Sequence, residues 1–437
     1  MAEVLHSVGL DVGTTSTQMV VSRLTLENRA GSFAVPEMEI RERQILYKSP
    51  VHFTPLLRDE LVDAAALKKI VDQEYARAGI TKAEVDTGAV IITGETSRKE
   101  NAAAVLEALS EYAGEFVVAT AGPDLESALA ARGAGATAHP GTVLHMDIGG
   151  GTTNLALIRD GQIQAVGCLN VGGRLLKISA EGQLSYVSPV LRQIFPKQNG
   201  DYVNREEVVS LCGRLTQALE AAAGLREREK WMESLFTRGA SAWVSPQQAT
   251  VSFSGGVAAC IREDTPWLAY GDMGPELGRA IRESRLCRDG YVMGEDPIRA
   301  TVIGAGCHST QLSGSTVFHQ NVDFPLKNLP VVTSYGALSS LDGPGVLALP
   351  GVVSPDYETV AAMAAEIVDA FGEGPVFLAL QADQAKALGY QIALRLGSAA
   401  RILCVDRVKL TAGDYLDVGF PVGPALPVVV KTLILNR

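Results

Sequence analysis

The chain predicts a two-lobed α/β protein in which one architectural unit occurs twice around a cleft. Two stretches carry that reading. Gly9-Leu10-Asp11-Val12-Gly13-Thr14-Thr15-Ser16-Thr17 near the start is echoed by Met146-Asp147-Ile148-Gly149-Gly150-Gly151-Thr152-Thr153-Asn154. Each follows an apolar strand-like run and precedes another, residues 18–24 and 155–158. Each therefore reads as a strand, a tight Gly/Thr turn headed by one aspartate, and a returning strand. The third observation is the order of the elements between and after them.

Behind the first hairpin come a strand-rich stretch over 41–53 and a helix over about 59–78, with Leu61, Leu67, Ile70 and Val71 on one face. A buried strand spans 88–93. Ser97-Arg98-Lys99-Glu100 is a capping box that opens a helix ending near Gly114. Residues 116–120 form a strand, and 121–127 enter an Ala-rich helix that stops at Gly133-Ala134-Gly135. The second hairpin then restarts the series, with a third strand over 163–169 followed by Val171-Gly172-Gly173-Arg174.

Residues 178–245 are polar, helix-leaning and poor in glycine, and read as an inserted helical subdomain. Thr250-Val251-Ser252-Phe253 is a strand ending in Ser254-Gly255-Gly256. A helix over 298–309 carries small residues, Ala300, Gly304, Ala305 and Gly306, through its body. Beyond residue 313, strands over 376–380 and 401–405 flank a helix over 383–396, 413–423 has barrel-like turn chemistry, and 428–435 is a last strand. The domains expected are thus 1–136, 137–312 with the insertion at about 178–245, and a C-terminal α/β extension over 313–437.

The turns point to phosphate. Glycine lets the backbone approach closely, so successive N–H groups can form one anion-binding concavity. Thr14, Thr15, Ser16, Thr152 and Thr153 add hydroxyl donors beside Gly13, Gly149, Gly150 and Gly151. An aspartate beside phosphate is repelled, by about 4 kcal/mol for unit charges about 4 Å apart at an effective dielectric near 20. A divalent cation between them reverses the sign, and oxygen-only ligands suit Mg²⁺ that keeps several waters. Asp11 and Asp147 accordingly read as a metal pair acting through water. Ser254-Gly255-Gly256, nearly free of side chains, can press its backbone against adenine or ribose. No Gly-x-x-x-x-Gly-Lys-[Ser/Thr] occurs, and Gly133-Ala134-Gly135 and Gly304-Ala305-Gly306 lack the third glycine of a dinucleotide fingerprint.

Composition narrows the partners. The 437 residues are 47% hydrophobic and 20% charged, ordinary for a globular chain, and the net charge of −11 disfavours nucleic acid and anionic membranes. No apolar run approaches the roughly 18 residues of a membrane span, and residues 1–8 have no cationic start or cleavage site, so a cytoplasmic location is expected. The six cysteines are scattered without a Cys-x-x-Cys pair, which argues against zinc and disulfides. His145, in the strand before Asp147, reads as a structural residue rather than a base.

Five elements in this order resemble the superfamily of actin, heat-shock chaperone and sugar kinase ATPases: the first hairpin, residues 121–136 as first connector, the second hairpin, Ser254-Gly255-Gly256 as adenosine motif, and residues 298–306 as second connector. The resemblance implies two ribonuclease-H-like domains with ATP and Mg²⁺ in the cleft, and Gly304 of the second connector is expected among the nucleotide-binding residues. A closer resemblance, covering nearly the whole chain, is to the ethanolamine ammonia-lyase reactivating factors. It rests on residues 7–15, Ile91-Ile92-Thr93-Gly94-Glu95, residues 121–136, residues 169–176, residues 299–306, Phe324-Pro325-Leu326-Lys327-Asn328-Leu329-Pro330-Val331 and residues 413–419. The last two lie outside the ATPase motifs, so they separate this family from its distant relatives.

That family implies a chaperone-like ATPase whose partner is ethanolamine ammonia-lyase, an adenosylcobalamin enzyme. The factor would use ATP to loosen the inactivated lyase, so that damaged cobalamin leaves and intact coenzyme enters. Association with a bacterial microcompartment and a homodimer remain open. The superfamily places a polar residue near the attacking water, which assigns Glu126, with Glu95 as second choice, to position it. A sugar or acid kinase, an actin-like filament protein and an electron-passing dehydratase activator are the competing readings. The first needs an acceptor pocket with an aspartate base, the second nucleotide-dependent assembly, and the third cluster-ligating cysteines that the spacing does not offer.

Overall fold

The computed structural model describes residues 3–13, 16–28, 38–58, 61–93, 105, 109, 118–120, 123–237, 246, 248–308, 310–313, 317–372, 374–412, 414–421 and 426–432. The first lobe is built on β1 (Glu3–Val12), β2 (Ser16–Asn28), β3 (Met38–Lys48), β4 (Thr87–Ile92) and β5 (Val118–Thr120). Its sheet runs β3-β2-β1-β4-β5, with β1, β2 and β3 antiparallel and β4 and β5 parallel to β1. The second lobe repeats the plan with β6 (Thr142–Ile148), β7 (Thr153–Arg159), β8 (Gln162–Leu169), β9 (Thr250–Ser254) and β10 (Tyr291–Met293). The order is β8-β7-β6-β9-β10, again three antiparallel strands and then two parallel ones. Two sheets of identical order and sense are the ribonuclease-H-like duplication expected from the sequence.

The helix expected over 59–78 begins later, as α1 (Ala64–Ala78). Asp63 caps it by accepting from the Ala66 N–H at 2.9 Å, and residues 56–58 pair antiparallel with 61–62 instead. A side-chain cap is a local competitor that outweighs the helical periodicity of Leu61. The helix expected from Ser97 lies outside the described residues except for Val105 and Leu109, which are helical and buried.

The insertion is less helical than expected. It opens with a hairpin, residues 176–178 against 184–187, before the long helix α3 (Arg205–Ala222). Asn204 and Glu207 form the capping box of that helix. Its Leu211, Leu215 and Leu219 are buried with Leu277 and Ile281 of α5 (Gly274–Arg282), in one core with the back of the second sheet.

Two further helices connect the lobes, and each packs on the sheet it does not follow. α2 (Pro123–Gly133) comes after β5, yet Ala131 is buried with Val143, Ala156 and Ile158 of the second sheet. α6 (Ala300–His308) follows β10, yet Val302, Ile303 and Cys307 are buried with Val20 of the first. The two helices touch through glycine. A β-carbon on Gly304 would stand 2.1 Å from the Leu129 carbonyl oxygen, so any side chain there would push the helices apart. α4 (Gly256–Arg262) lies between these elements at the end of β9.

The C-terminal unit is one sheet of β11 (Thr310–Leu312), β12 (Phe318–Gln320), β13 (Leu326–Val332), β14 (Val346–Leu349), β15 (Val376–Leu380), β16 (Ile402–Val405), β17 (Asp414–Val418) and β18 (Pro427–Thr432), in the order β11-β18-β17-β13-β14-β15-β16-β12. Helices α7 (Tyr357–Phe371) and α8 (Ala385–Leu396) cover one face. On the other, Phe377, Leu403, Leu416 and Val428 are buried against one another. Val429 joins Ala89, Ile91, Leu129 and Ala305, which braces this unit against the first lobe. Among the described residues, no helix is long and apolar enough to cross a membrane.

Candidate functional site

The two turns are closed by the same hydrogen bond. Gly13 N–H donates to the Ser16 carbonyl at 2.9 Å, and Gly149 N–H to the Thr152 carbonyl at 2.9 Å. Asp11 and Asp147 are each the penultimate residue of the strand entering the turn. Each turn is held from outside. The Thr54 hydroxyl donates to the Gly13 carbonyl at 2.8 Å and contacts Thr17 Oγ1 at 3.1 Å. In the second lobe the Gly173 and Arg174 N–H groups donate to the carbonyls of Gly149 and Gly150, at 3.0 and 2.6 Å. The stem of Arg174 lies along Gly150, and its Nε donates to Asp272 at 3.0 Å.

The two aspartates lie near enough for the charge of Asp147 to act on Asp11. Burial, offset by a hydrogen bond from Thr93 and reinforced by the charge of Asp147, raises the Asp11 pKa from 3.8 to about 7. Thr93 Oγ1 donates to Asp11 Oδ1 at 2.9 Å. Burial also raises Asp147, opposed by hydrogen bonds from Ser254 and Thr301. Ser254 donates to Oδ1, while Thr301 reaches Oδ2 only at 3.4 Å. Two carboxylates that resist ionisation because they are enclosed and feel each other form a site that a cation stabilises.

Two amides extend the oxygen set. Gln18 is the cross-strand partner of Asp11, and Asn154 that of Asp147. Both are buried, and neither Gln18 Oε1 nor Asn154 Oδ1 meets a donor among the described residues. Directly opposed residues of an antiparallel pair share a face, so each carbonyl oxygen accompanies its aspartate. Buried acceptors without donors need an outside partner. An all-oxygen set of two carboxylates and two amides fits a Mg²⁺ ion that keeps its waters. Among the described residues no three His, Cys, Asp or Glu side chains gather into a metal cage.

Not every expected residue stands where the sequence reading put it. Gly13, Ser16, Gly149, Gly150, Gly151 and Thr152 do lie in the turns, and a β-carbon on Gly151 would meet nothing within 4 Å. Thr153 is a correction: it is fully buried and donates to the Val171 carbonyl at 2.7 Å, so its hydroxyl is engaged inside the fold. Gly304 sits at the α2–α6 crossing, where a β-carbon would meet the Leu129 backbone. Ser254 turns its hydroxyl to Asp147, which leaves only backbone for a base or ribose. Gly255, at φ 90°, passes so near the Ile148 carbonyl that a β-carbon would stand 2.4 Å from it. That contact sets the Ser-Gly-Gly turn beside the turn over 149–152. Glu126 lies partly buried in the first turn of α2. Thr14, Thr15 and Glu95 lie outside the described residues.

His145 is fully buried and neutral, its pKa pushed down to about 3 by burial. Its Nδ1 lies 3.0 Å from Ser252 Oγ and its Nε2 2.9 Å from Ser254 Oγ. Gln18, Asn154, Ser252 and Arg174 escaped the sequence reading. Only the position seven residues beyond each aspartate could have flagged the two amides.

Two ribonuclease-H-like domains, each with an aspartate-led turn at the end of its first strand, define an actin-like ATPase fold. Within that class the chain belongs to the family described as ethanolamine utilisation protein EutA, which it matches over residues 3–343 and 338–436. It is 36% identical to the ethanolamine ammonia-lyase reactivases EutA of Salmonella typhimurium and of Escherichia coli K12, over 98% of this chain and 98% of each of theirs. Among solved structures it is similar to the ethanolamine utilization protein EutJ of Carboxydothermus hydrogenoformans (19% identity, 69% of this chain and 89% of that one, TM-score 0.36).

Proposed function

We propose that this chain is an ATP-driven reactivating factor for ethanolamine ammonia-lyase, acting in the cytoplasm, with the lyase as its partner. The observation that carries the ATPase half is the enclosure of Asp11 and Asp147 on equivalent turns of a duplicated unit, each raised in pKa by burial. The partner follows from family membership and from the two reactivases that match nearly end to end.

In this reading the N–H groups and hydroxyls of the turns over 13–16 and 149–152 hold the phosphate tail of ATP. Asp11 and Asp147, with the carbonyl oxygens of Gln18 and Asn154, hold the water shell of Mg²⁺. The metal supplies charge neutralisation on the phosphates. The Ser254-Gly255-Gly256 backbone meets the nucleoside, and Glu126 orients the attacking water. Closure of the lobes pivots on the α2–α6 crossing, where glycine contacts permit small rotations of tightly packed helices. Closure alters the outer surface offered to the lyase, so nucleotide and partner affinities change by the same factor.

The test is reactivation. Ethanolamine ammonia-lyase inactivated with hydroxocobalamin should resume ammonia release when this protein, Mg-ATP and fresh adenosylcobalamin are added together. Restoration that is equal without ATP, or none with it, contradicts the proposal.

A further inference from the structure

The parallel register of β6 and β9 sets His145 beside Ser252 and Asp147 beside Ser254. Side chains two apart on a strand share a face, so these four stand together behind the cleft, and all four are buried. The contacts form one chain: Ser252 Oγ to His145 Nδ1 at 3.0 Å, His145 Nε2 to Ser254 Oγ at 2.9 Å, and Ser254 Oγ to Asp147 Oδ1.

Counting protons gives the chain a direction. With Mg²⁺ bound the Asp147 carboxylate is ionised and only accepts, so Ser254 gives it its single hydroxyl proton. Ser254 Oγ must then accept from Nε2, which makes the neutral imidazole the Nε2–H tautomer. Nδ1 is left as the acceptor, filled by the Ser252 hydroxyl. Every donor in the series is used once. Asp147 Oδ1 is thereby fixed, and Oδ2, with only the 3.4 Å contact to Thr301, is the oxygen left for a metal-bound water.

We propose that His145 is a positioning residue which, through Ser254, fixes the Asp147 carboxylate for metal binding, and that it does so as the Nε2–H tautomer. The inference rests on the reading of Asp147 as a Mg²⁺ ligand. Outer partners of this kind carry about 10–100-fold in metal affinity. The cost arises because a carboxylate without its fixed donor must be oriented at the moment of binding. The sequence signature is His-x-Asp on one strand and Ser-x-Ser on its parallel neighbour, which shows as a unit only once the register is known.

The experiment compares calorimetric ATP binding with and without Mg²⁺ in the wild-type chain, in His145→Leu and in His145→Gln, whose amide can still donate to Ser254. His145→Leu should weaken the Mg²⁺-dependent affinity by about 10-fold or more while metal-free ATP affinity stays put, and His145→Gln should regain most of the loss. Nitrogen-15 spectra of the ¹⁵N-histidine-labelled wild-type protein with Mg-ATP should show the His145 proton on Nε2, a readout that needs no variant to fold. Equal Mg²⁺ dependence in His145→Leu, or a proton on Nδ1, overturns the positioning role while leaving the ATPase reading intact. No Mg²⁺-dependent ATP uptake by the wild type overturns both.

Discussion

Gly133 of α2 lies against Ala300 of α6 so closely that a β-carbon on it would stand 1.8 Å from the Ala300 carbonyl oxygen. The obstacle is backbone, which cannot swing aside as a side chain can. Gly133→Ala should therefore destabilise the chain at or beyond the upper end of the roughly 1–3 kcal/mol usual for overpacking. Urea unfolding measures it. A change inside about 0.5 kcal/mol, the range of ordinary surface substitutions, would mean that the two connecting helices part freely.

The raised Asp11 pKa makes stability depend on pH in a definite direction. The folded state holds this proton up to about pH 7, whereas the ordinary carboxyl value is 3.8. The folded state thus binds more protons between those values, and stability from this group is full below about pH 4 and is lost as pH rises towards 7. Thermal melts in chelator should show that decline, and Asp11→Asn should flatten it. Mg²⁺ needs the ionised carboxylate, so its stabilising effect should grow from pH 5.5 to pH 8. A metal effect that shrinks over that interval would contradict the assignment of Asp11.

The turn over 149–152, which we propose holds phosphate, depends on a neighbour. A β-carbon on Gly172 would stand 2.4 Å from the Gly150 carbonyl oxygen, so Gly172→Ala must displace the turn over 149–151. ATP affinity should fall roughly tenfold, equivalent to about 1.4 kcal/mol. Calorimetry on a variant shown to be folded by circular dichroism is the check. Unchanged affinity would remove that turn from the binding site.

Much of this was legible in the residues. Glycine and threonine mark both turns, the strands read as apolar runs, and the repeated order predicts the duplicated fold. What stayed hidden depends on pairing across the chain. Ser254 looks like part of a bare loop until the β6–β9 register brings it to Asp147. Gln18 and Asn154 look like ordinary polar positions until the hairpins set them opposite the aspartates. Thr153 misled for a related reason. A small or hydroxyl residue in a motif can serve the fold instead of the ligand, and burial alone decides which. The insertion read as helix-leaning, without its hairpin, because strands of three and four residues carry too little periodicity to register.

Glu126 carries the sharpest claim about turnover. Glu126→Ala should keep ATP affinity and lower hydrolysis by about 10²-fold or more, the lower range for a positioned acid–base group. Phosphate release under saturating Mg-ATP measures it. Unchanged hydrolysis would return Glu126 to a helix N-terminal charge favoured by the dipole.

The most direct measurement is calorimetric titration of ATP into the wild-type chain, Asp11→Asn and Asp147→Asn, each with and without Mg²⁺. If the two aspartates share one metal-bound phosphate tail, the wild type takes up ATP in a Mg²⁺-dependent manner, and either substitution removes that dependence. Mg²⁺-dependent binding that survives in both variants would place the nucleotide somewhere other than between these turns.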